Sequence, residues 1–265
     1  MWYNKDMNKP HRGFKRVLAL PDKHIPYQDK RALKAVFKYM GEEWWDEVID
    51  LGDLLDLGEI SDWAAGKPGE VENARIQETF DAGNAYWDKV QDLATRQNPK
   101  CKQVYIQGNH EYRIERLYKK YPVLTGSLDI RDRLNLDSRG IKWVAQWAKG
   151  EIHQVGQLYF AHGYSTAVNH SLTTARLVGA HIVYAHAHDR QQATDKRIGH
   201  NNGPRAASIG CLCDLDQHYL NGGPTRWELG FGVYDFYPDG AFQEHYVRLQ
   251  DYKFIGPTNG KIYRG

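Results

Sequence analysis

The chain has 265 residues, 41% of them hydrophobic and 26% charged, which supplies apolar matter for a real core and excludes a largely disordered chain. A formal net charge of +2 excludes a global positive field as the means of attracting nucleic acid and leaves only local patches. Three cysteines, Cys101, Cys211 and Cys213, exclude a full disulfide framework, and the Cys211-x-Cys213 pair reads as reduced core residues rather than soft-metal ligands.

Short runs rich in valine, isoleucine and aromatics alternate with longer helical patterns, as in an α/β architecture. Val17-Leu18-Ala19-Leu20 reads as a strand running into Asp22 and His24, and residues 30–40 follow as a helix with Leu33, Val36, Phe37 and Met40 on one face. Val48-Ile49-Asp50-Leu51 reads as a strand leading to Gly52-Asp53, and residues 74–94 repeat apolar positions at helical spacing. Val104-Tyr105-Ile106-Gln107 runs into Asn109 and His110, after which a helix opens at Glu111 and ends at Pro122. Leu158-Tyr159-Phe160-Ala161 then reaches His162, and Ile182-Val183-Tyr184-Ala185 reaches His186 and His188. Strands are expected over 206–209, 231–237 and 242–249, the last two joined at Pro238-Asp239-Gly240. No repeat or linker divides the chain, so one domain over residues 1–265 is expected, with tails of about 1–14 and 252–265 loosely held. No apolar run reaches the roughly 18 residues of a membrane span. The first residues lack a signal peptide's apolar segment, so a cytoplasmic protein with no membrane contact is expected.

In open α/β sheets, ligands gather outside the carboxyl ends of the strands. Here those ends carry Asp22, His24, Asp53, Asn109, His110, His162, His186 and His188. A single such His is more often a hydrogen-bonded structural residue, and a single such Asp a helix cap. Five separate strand ends supplying carboxylate, amide oxygen and imidazole is a different matter, and that mix suits borderline divalent ions such as manganese, iron, zinc or cobalt.

The blocks Asp22-x-His24, Gly52-Asp53-x-x-Asp56, Gly108-Asn109-His110-Glu111, His162-Gly163 and His186-x-His188 resemble the calcineurin-like metallophosphoesterases in order and spacing. Ala185 stands where the family usually has glycine. The resemblance implies a four-layer α-β-β-α sandwich of two mixed sheets with flanking helices. It implies two divalent ions, drawn from manganese, iron, zinc, cobalt or nickel with manganese favoured. Asp22, His24, Asp53 and His188 would hold one, and Asp53, Asn109, His162 and His186 the other. Such a pair acidifies a water for attack on a phosphate ester. His110 would protonate the leaving oxygen, with Asp22 orienting it, while Asp56 and Glu111 serve as supports or helix caps.

The resemblance leaves the ester open. Protein phosphatases of the family usually carry arginine after the second aspartate of the Gly-Asp block, where this chain has Leu57. Arg113 is a candidate for a different phosphate clamp, and Trp63, Tyr164, His218, Tyr219 and Trp227 are candidates to border the site and stack a base. Arg113, Arg116, Lys119, Lys120, Arg131 and Arg133 could track a phosphate backbone, interrupted by Glu115, Asp129 and Asp132. The segment from Cys211 to Phe231 is similar to metallophosphoesterases of phage and prophage genomes, which makes host cytoplasm the expected location. The leading expectation is a phosphodiesterase or nuclease acting on DNA, RNA or nucleotides, with no obligate protein partner. The alternatives are a phosphomonoesterase and, behind it, a non-catalytic binding scaffold.

Overall fold

A computed structural model describes residues 13–62, 74–196, 198, 203–217 and 225–265. In chain order the first half contains β1 (Lys15–Leu20), α1 (Lys30–Glu42), β2 (Glu47–Asp50), α2 (Ile76–Gln97), β3 (Lys102–Ile106), α3 (Arg113–Lys120), α4 (Ile130–Arg133), β4 (Lys142–Val144) and α5 (Gln146–Lys149). The second half contains β5 (His153–Val155), β6 (Leu158–Ala161), α6 (His170–Val178), β7 (His181–Tyr184), β8 (Gln192–Thr194), β9 (Arg205–Ser208), β10 (Gly230–Phe236), β11 (Phe242–Arg248), β12 (Lys253–Ile255) and β13 (Ile262–Arg264).

One sheet has the order β11-β10-β1-β2-β3-β4, with β1 to β4 parallel and β10 and β11 joined antiparallel. The other has the order β5-β6-β7-β9-β8, parallel through β6, β7 and β9 with antiparallel edges. Alternation along β1 shows why they stack. Val17 and Ala19 join Ile49, Val104, Phe160 and Val183 in a core between the sheets, whereas Leu18 and Leu20 face the core beneath α1 and α2. On the far side Ala161, Ile182, Tyr184 and Ala206 pack against Ala175 of α6. The layers are therefore helices, sheet, sheet and helix, the expected α-β-β-α sandwich.

Each helix owes its place to an apolar stripe. In α1, Ala32, Leu33, Val36, Tyr39 and Met40 are buried, and Asp29 caps the start by accepting from the Ala32 amide. In α2, Phe80, Tyr86, Trp87, Val90 and Leu93 do the same. The helix expected from Glu111 begins instead at Arg113, because Glu111 is drawn inward as a buried acceptor.

The C-terminal tail departs from expectation. Residues 252–265 are not loose: β12 and β13 form a hairpin in which Phe254 and Tyr263 are buried against Tyr39 of α1, with ring centroids 5.6 and 5.1 Å from it. Lys261 pairs with Glu42, and Asn259 donates to Glu43. Alternating Phe254 and Tyr263 with their partners supplies the apolar face that the glycines and lysines of the segment obscure. Residues 1–12 lie outside the described residues, as do Trp63, His218 and Tyr219.

Candidate metal centre

The carboxyl ends of β1, β2, β3, β6 and β7 converge, and their loops bring the expected side chains into one cleft. The ligand atoms of Asp22, His24 and His188 lie within 4.8 Å of one another, and so do those of Asp53, His162 and His186. The two groups adjoin: Asp53 Oδ2 is 3.3 Å from His162 Nε2, 3.6 Å from His24 Nε2 and 3.8 Å from His110 Nε2. Asp22 Oδ1 is 3.6 Å from His188 Nε2, and Asn109 Oδ1 is 2.9 Å from His162 Nε2. Asp22 and His162 are fully buried and Asp53 nearly so.

Backbone geometry aims these groups. Asp22, His24, Asp53, His186 and His188 all have positive φ, a left-handed conformation that L side chains rarely adopt and that costs of order 1–3 kcal/mol each. The strain is held by cross-loop bonds. The Asp53 carbonyl accepts from the Lys23 and His24 amides, and the Asp22 carboxylate accepts from the His186 amide. Glycines allow the loops to close: a Cβ on Gly52 would meet the Gly108 nitrogen at 2.7 Å, and one on Gly108 would meet Asp53 Oδ1 at 2.1 Å. Glu111 locks the arrangement from below by accepting from the amides of Asp53, Leu55 and Gly108 and from the Tyr105 hydroxyl.

Ring orientation is equally specified. His162 donates from Nδ1 to the Leu51 carbonyl at 2.9 Å, and His24 turns Nδ1 to the Asp56 carboxylate at 3.1 Å, so both present Nε2 to the cleft. His110 turns Nδ1 to the Asp56 carbonyl at 2.7 Å. The orienting partner of His110 is thus Asp56, not Asp22, whose carboxylate is turned to His162, His186 and His188.

The charge balance shows what the cleft wants. Burial opposes it, yet Asp53 and Asp22 raise His162 to about 9, and Asp22 with Asp53 raises His188 to about 9. With Nδ1 already donating, His162 also points Nε2 at two oxygen acceptors, so its second proton stands where a cation would stand. Burial, followed by the His162 charge, lowers His186 to about 4 and keeps it a neutral donor. Burial likewise opposes the drop in Asp53, which His110, His162 and His24 hold well below the usual carboxylate range. Two carboxylates, an amide oxygen and four imidazoles facing one space fit a pair of borderline divalent ions.

The family model of the calcineurin-like phosphoesterases matches residues 15–221. The chain belongs to this family. Two mycobacteriophage proteins are similar to this calcineurin-like phosphoesterase. The Gene 54 protein of Mycobacterium phage L5 is 24% identical over 240 residues, covering 83% of this chain and 88% of that protein. The Gene 54 protein of Mycobacterium phage D29 is 26% identical over 234 residues, covering 83% and 88%. Among solved structures, Vacuolar Protein Sorting 29 from Cryptosporidium parvum superposes with a TM-score of 0.48 at 11% identity, covering 95% of this chain and 97% of that one.

Around the centre the phosphoesterase places the other expected residues unevenly. Arg113, half-buried, donates to the Asp56 carbonyl at 2.6 Å and reaches His110 Nε2 at 3.1 Å. Trp227 sets its ring edge-on to His188, with centroids 4.2 Å apart, and with Arg226 and Thr225 it borders a cavity of about 300 Å³ beside His186. Tyr164 is exposed in the loop after His162. A larger cavity, about 670 Å³ between α1 and α2, is lined by none of these groups and is not the site. Among the basic positions considered for a phosphate track, Arg116 pairs with Asp62 and Arg131 with Asp137, which weakens that reading. No helix among the described residues is long and apolar enough to cross a membrane.

Several residues of the site escaped sequence reasoning. Lys23, fully buried between Asp22 and His24, pairs with Asp50 at 2.7 Å directly below the loops, and Tyr86 donates to the same carboxylate. Gln146 accepts from the His162 amide and donates to the Gly163 carbonyl. Trp147 lies against His186 at 5.8 Å between ring centroids, and its buried indole nitrogen has no acceptor among the described residues.

Proposed function

We propose that this phosphoesterase hydrolyses phosphodiesters of DNA, RNA or nucleotides, using two divalent ions with manganese favoured. The observation that carries it is the pair of adjoining clusters meeting at Asp53. Asp22, His24, Asp53 and His188 would hold one cation, and Asp53, Asn109, His162 and His186 the other. Bound there, the pair would acidify a water and neutralise phosphate oxygens.

The chain's own groups supply the rest. His110, held through Nδ1 by Asp56, keeps Nε2 towards the Asp53 side of the cleft and is the donor of a proton to the leaving oxygen. Arg113 faces that same Nε2 as a donor, so the contact and an acid proton on His110 exclude each other. When Arg113 turns to a phosphate oxygen, it clamps substrate and frees His110 to carry the proton. Leu57 is fully buried and offers no grip on a terminal phosphate, which favours diesters. The cavity bordered by Trp227 and Arg226 gives the esterified group a ring face and a guanidinium donor.

The test is a paired assay with manganese on an aryl phosphodiester, the matching monoester and labelled oligonucleotides. Faster cleavage of the diester together with oligonucleotide degradation is expected. A large preference for the monoester with intact oligonucleotides would make the protein a monoesterase, and no hydrolysis of any of them would leave a binding scaffold.

A further inference from the structure

The Cys211-x-Cys213 pair takes no part in the chemistry above, yet it touches the centre from behind. Leu212 donates its amide to the Asp22 carbonyl, and Cys211 and Cys213 flank it, both fully buried, on the side where His188 lies. Cys213 Sγ is 4.0 Å from His188 Nδ1. The Cys211 thiol donates to the Glu228 carbonyl at 3.7 Å, and the sulfurs of Cys211 and Cys213 and a ring nitrogen of His188 all lie within 4.8 Å of one another. The Glu228 amide closes the ring by donating to the His188 carbonyl at 2.9 Å.

Donor accounting fixes the direction of this chain. A neutral imidazole that gives Nε2 to a cation must carry its proton on Nδ1. The acceptor that the structure gives His188 Nδ1 is a sulfur, whereas His24 and His162 turn theirs to oxygens at 3.1 and 2.9 Å. With the Cys211 proton on the Glu228 carbonyl, the neighbouring Cys211 sulfur can take the Cys213 proton, which leaves the Cys213 sulfur to accept from His188. Every donor in the series then has a partner.

We infer that Cys213 is a positioning residue for the metal centre, holding the His188 ring in its ligating tautomer and orientation through an Nδ1–H to sulfur bond. The inference rests on the metal-centre reading and adds to it that one half of the centre, Asp22, His24 and His188, depends on a thiol. Partners behind a ligating imidazole typically change metal affinity by about 10–100-fold when removed. A sulfur acceptor is the weaker kind, so the effect belongs near the lower end.

The experiment is calorimetric titration of the metal-free full chain with manganese alone, for the parent, Cys213→Ala and Cys213→Ser, with thermal unfolding recorded for each. Two binding events are expected in the parent. Cys213→Ala should weaken one of them about tenfold and leave the other unchanged, while Cys213→Ser, which keeps an acceptor, restores most of the loss. Equal affinities in the parent and Cys213→Ala would overturn the inference, and so would a serine variant as weak as the alanine one, since lost packing would then explain both. Absence of any manganese binding by the parent would overturn the metal centre itself, a result distinct from either. If Cys213→Ala fails to fold, Cys213→Ser still decides: a tenfold loss with an unchanged unfolding midpoint would count against the sulfur as an acceptor that oxygen can replace.

Discussion

Asp53 sits against three imidazoles, those of His162, His24 and His110, and accepts the His110 amide through its other oxygen. Only a carboxylate offers two equivalent anionic oxygens on so short a stem. Asp53→Asn keeps the shape and removes the charge, so both clusters lose their common anion. The expected outcome is a fall from two bound metal ions to one or none by elemental analysis, and a loss of hydrolysis beyond the roughly hundredfold that follows from removing a partner behind a ligand. At this scale the motifs were legible because strand ends followed by Asp, Asn or His announce themselves locally. The supports were less so. Asp56 was expected only as a general support, and its double service to His24 and His110 depends on a fold that brings position 56 beside both. The Lys23–Asp50 pair was not legible, since a lysine between two candidate ligands looks like a surface residue until Tyr86 and Asp50 close over it.

Among the elements, β2 begins with Glu47, a buried carboxylate that Lys15 and His153 contact from the neighbouring strand and the opposite sheet. Burial pushes its pKa up, but the His153 and Lys15 hydrogen bonds outweigh it and hold Glu47 below its usual 4.5. A depressed carboxylate contributes stability that is fully present above about pH 4.5 and is lost as the pH falls through the lower folded value. Glu47→Gln should therefore cost on the order of 2 kcal/mol at neutral pH. Below pH 4.5 the gap between parent and variant unfolding midpoints should narrow, and a gap that stays constant would rule out this coupling. The strands that lead to the candidate ligands were legible because each is a run of β-branched and aromatic residues ending in a polar group. β4, β5 and β8 have three residues each, too few to show an alternation. The helix α6, which covers the second sheet, was missed because His170, Ser171 and two threonines dilute its apolar stripe, and Leu177 on its surface is 67% exposed.

Over the whole molecule, the two-sheet sandwich followed from the family resemblance more than from strand counting, which alone supported only an α/β class. The error lay at the C-terminus, where Phe254 and Tyr263 cover Tyr39 and so brace the helix that leaves the Asp22-His24 loop. That loop belongs to a set of five left-handed residues, Asp22, His24, Asp53, His186 and His188, whose backbones sit where glycine would rest without strain. The same positions are thus weak points for durability and the ones proposed to capture the ions. A population of variants sorted for heat resistance alone, with no demand for turnover, would drift towards glycine first at His186, whose ring makes no hydrogen bond among the described residues, growing sturdier as it forgot its trade.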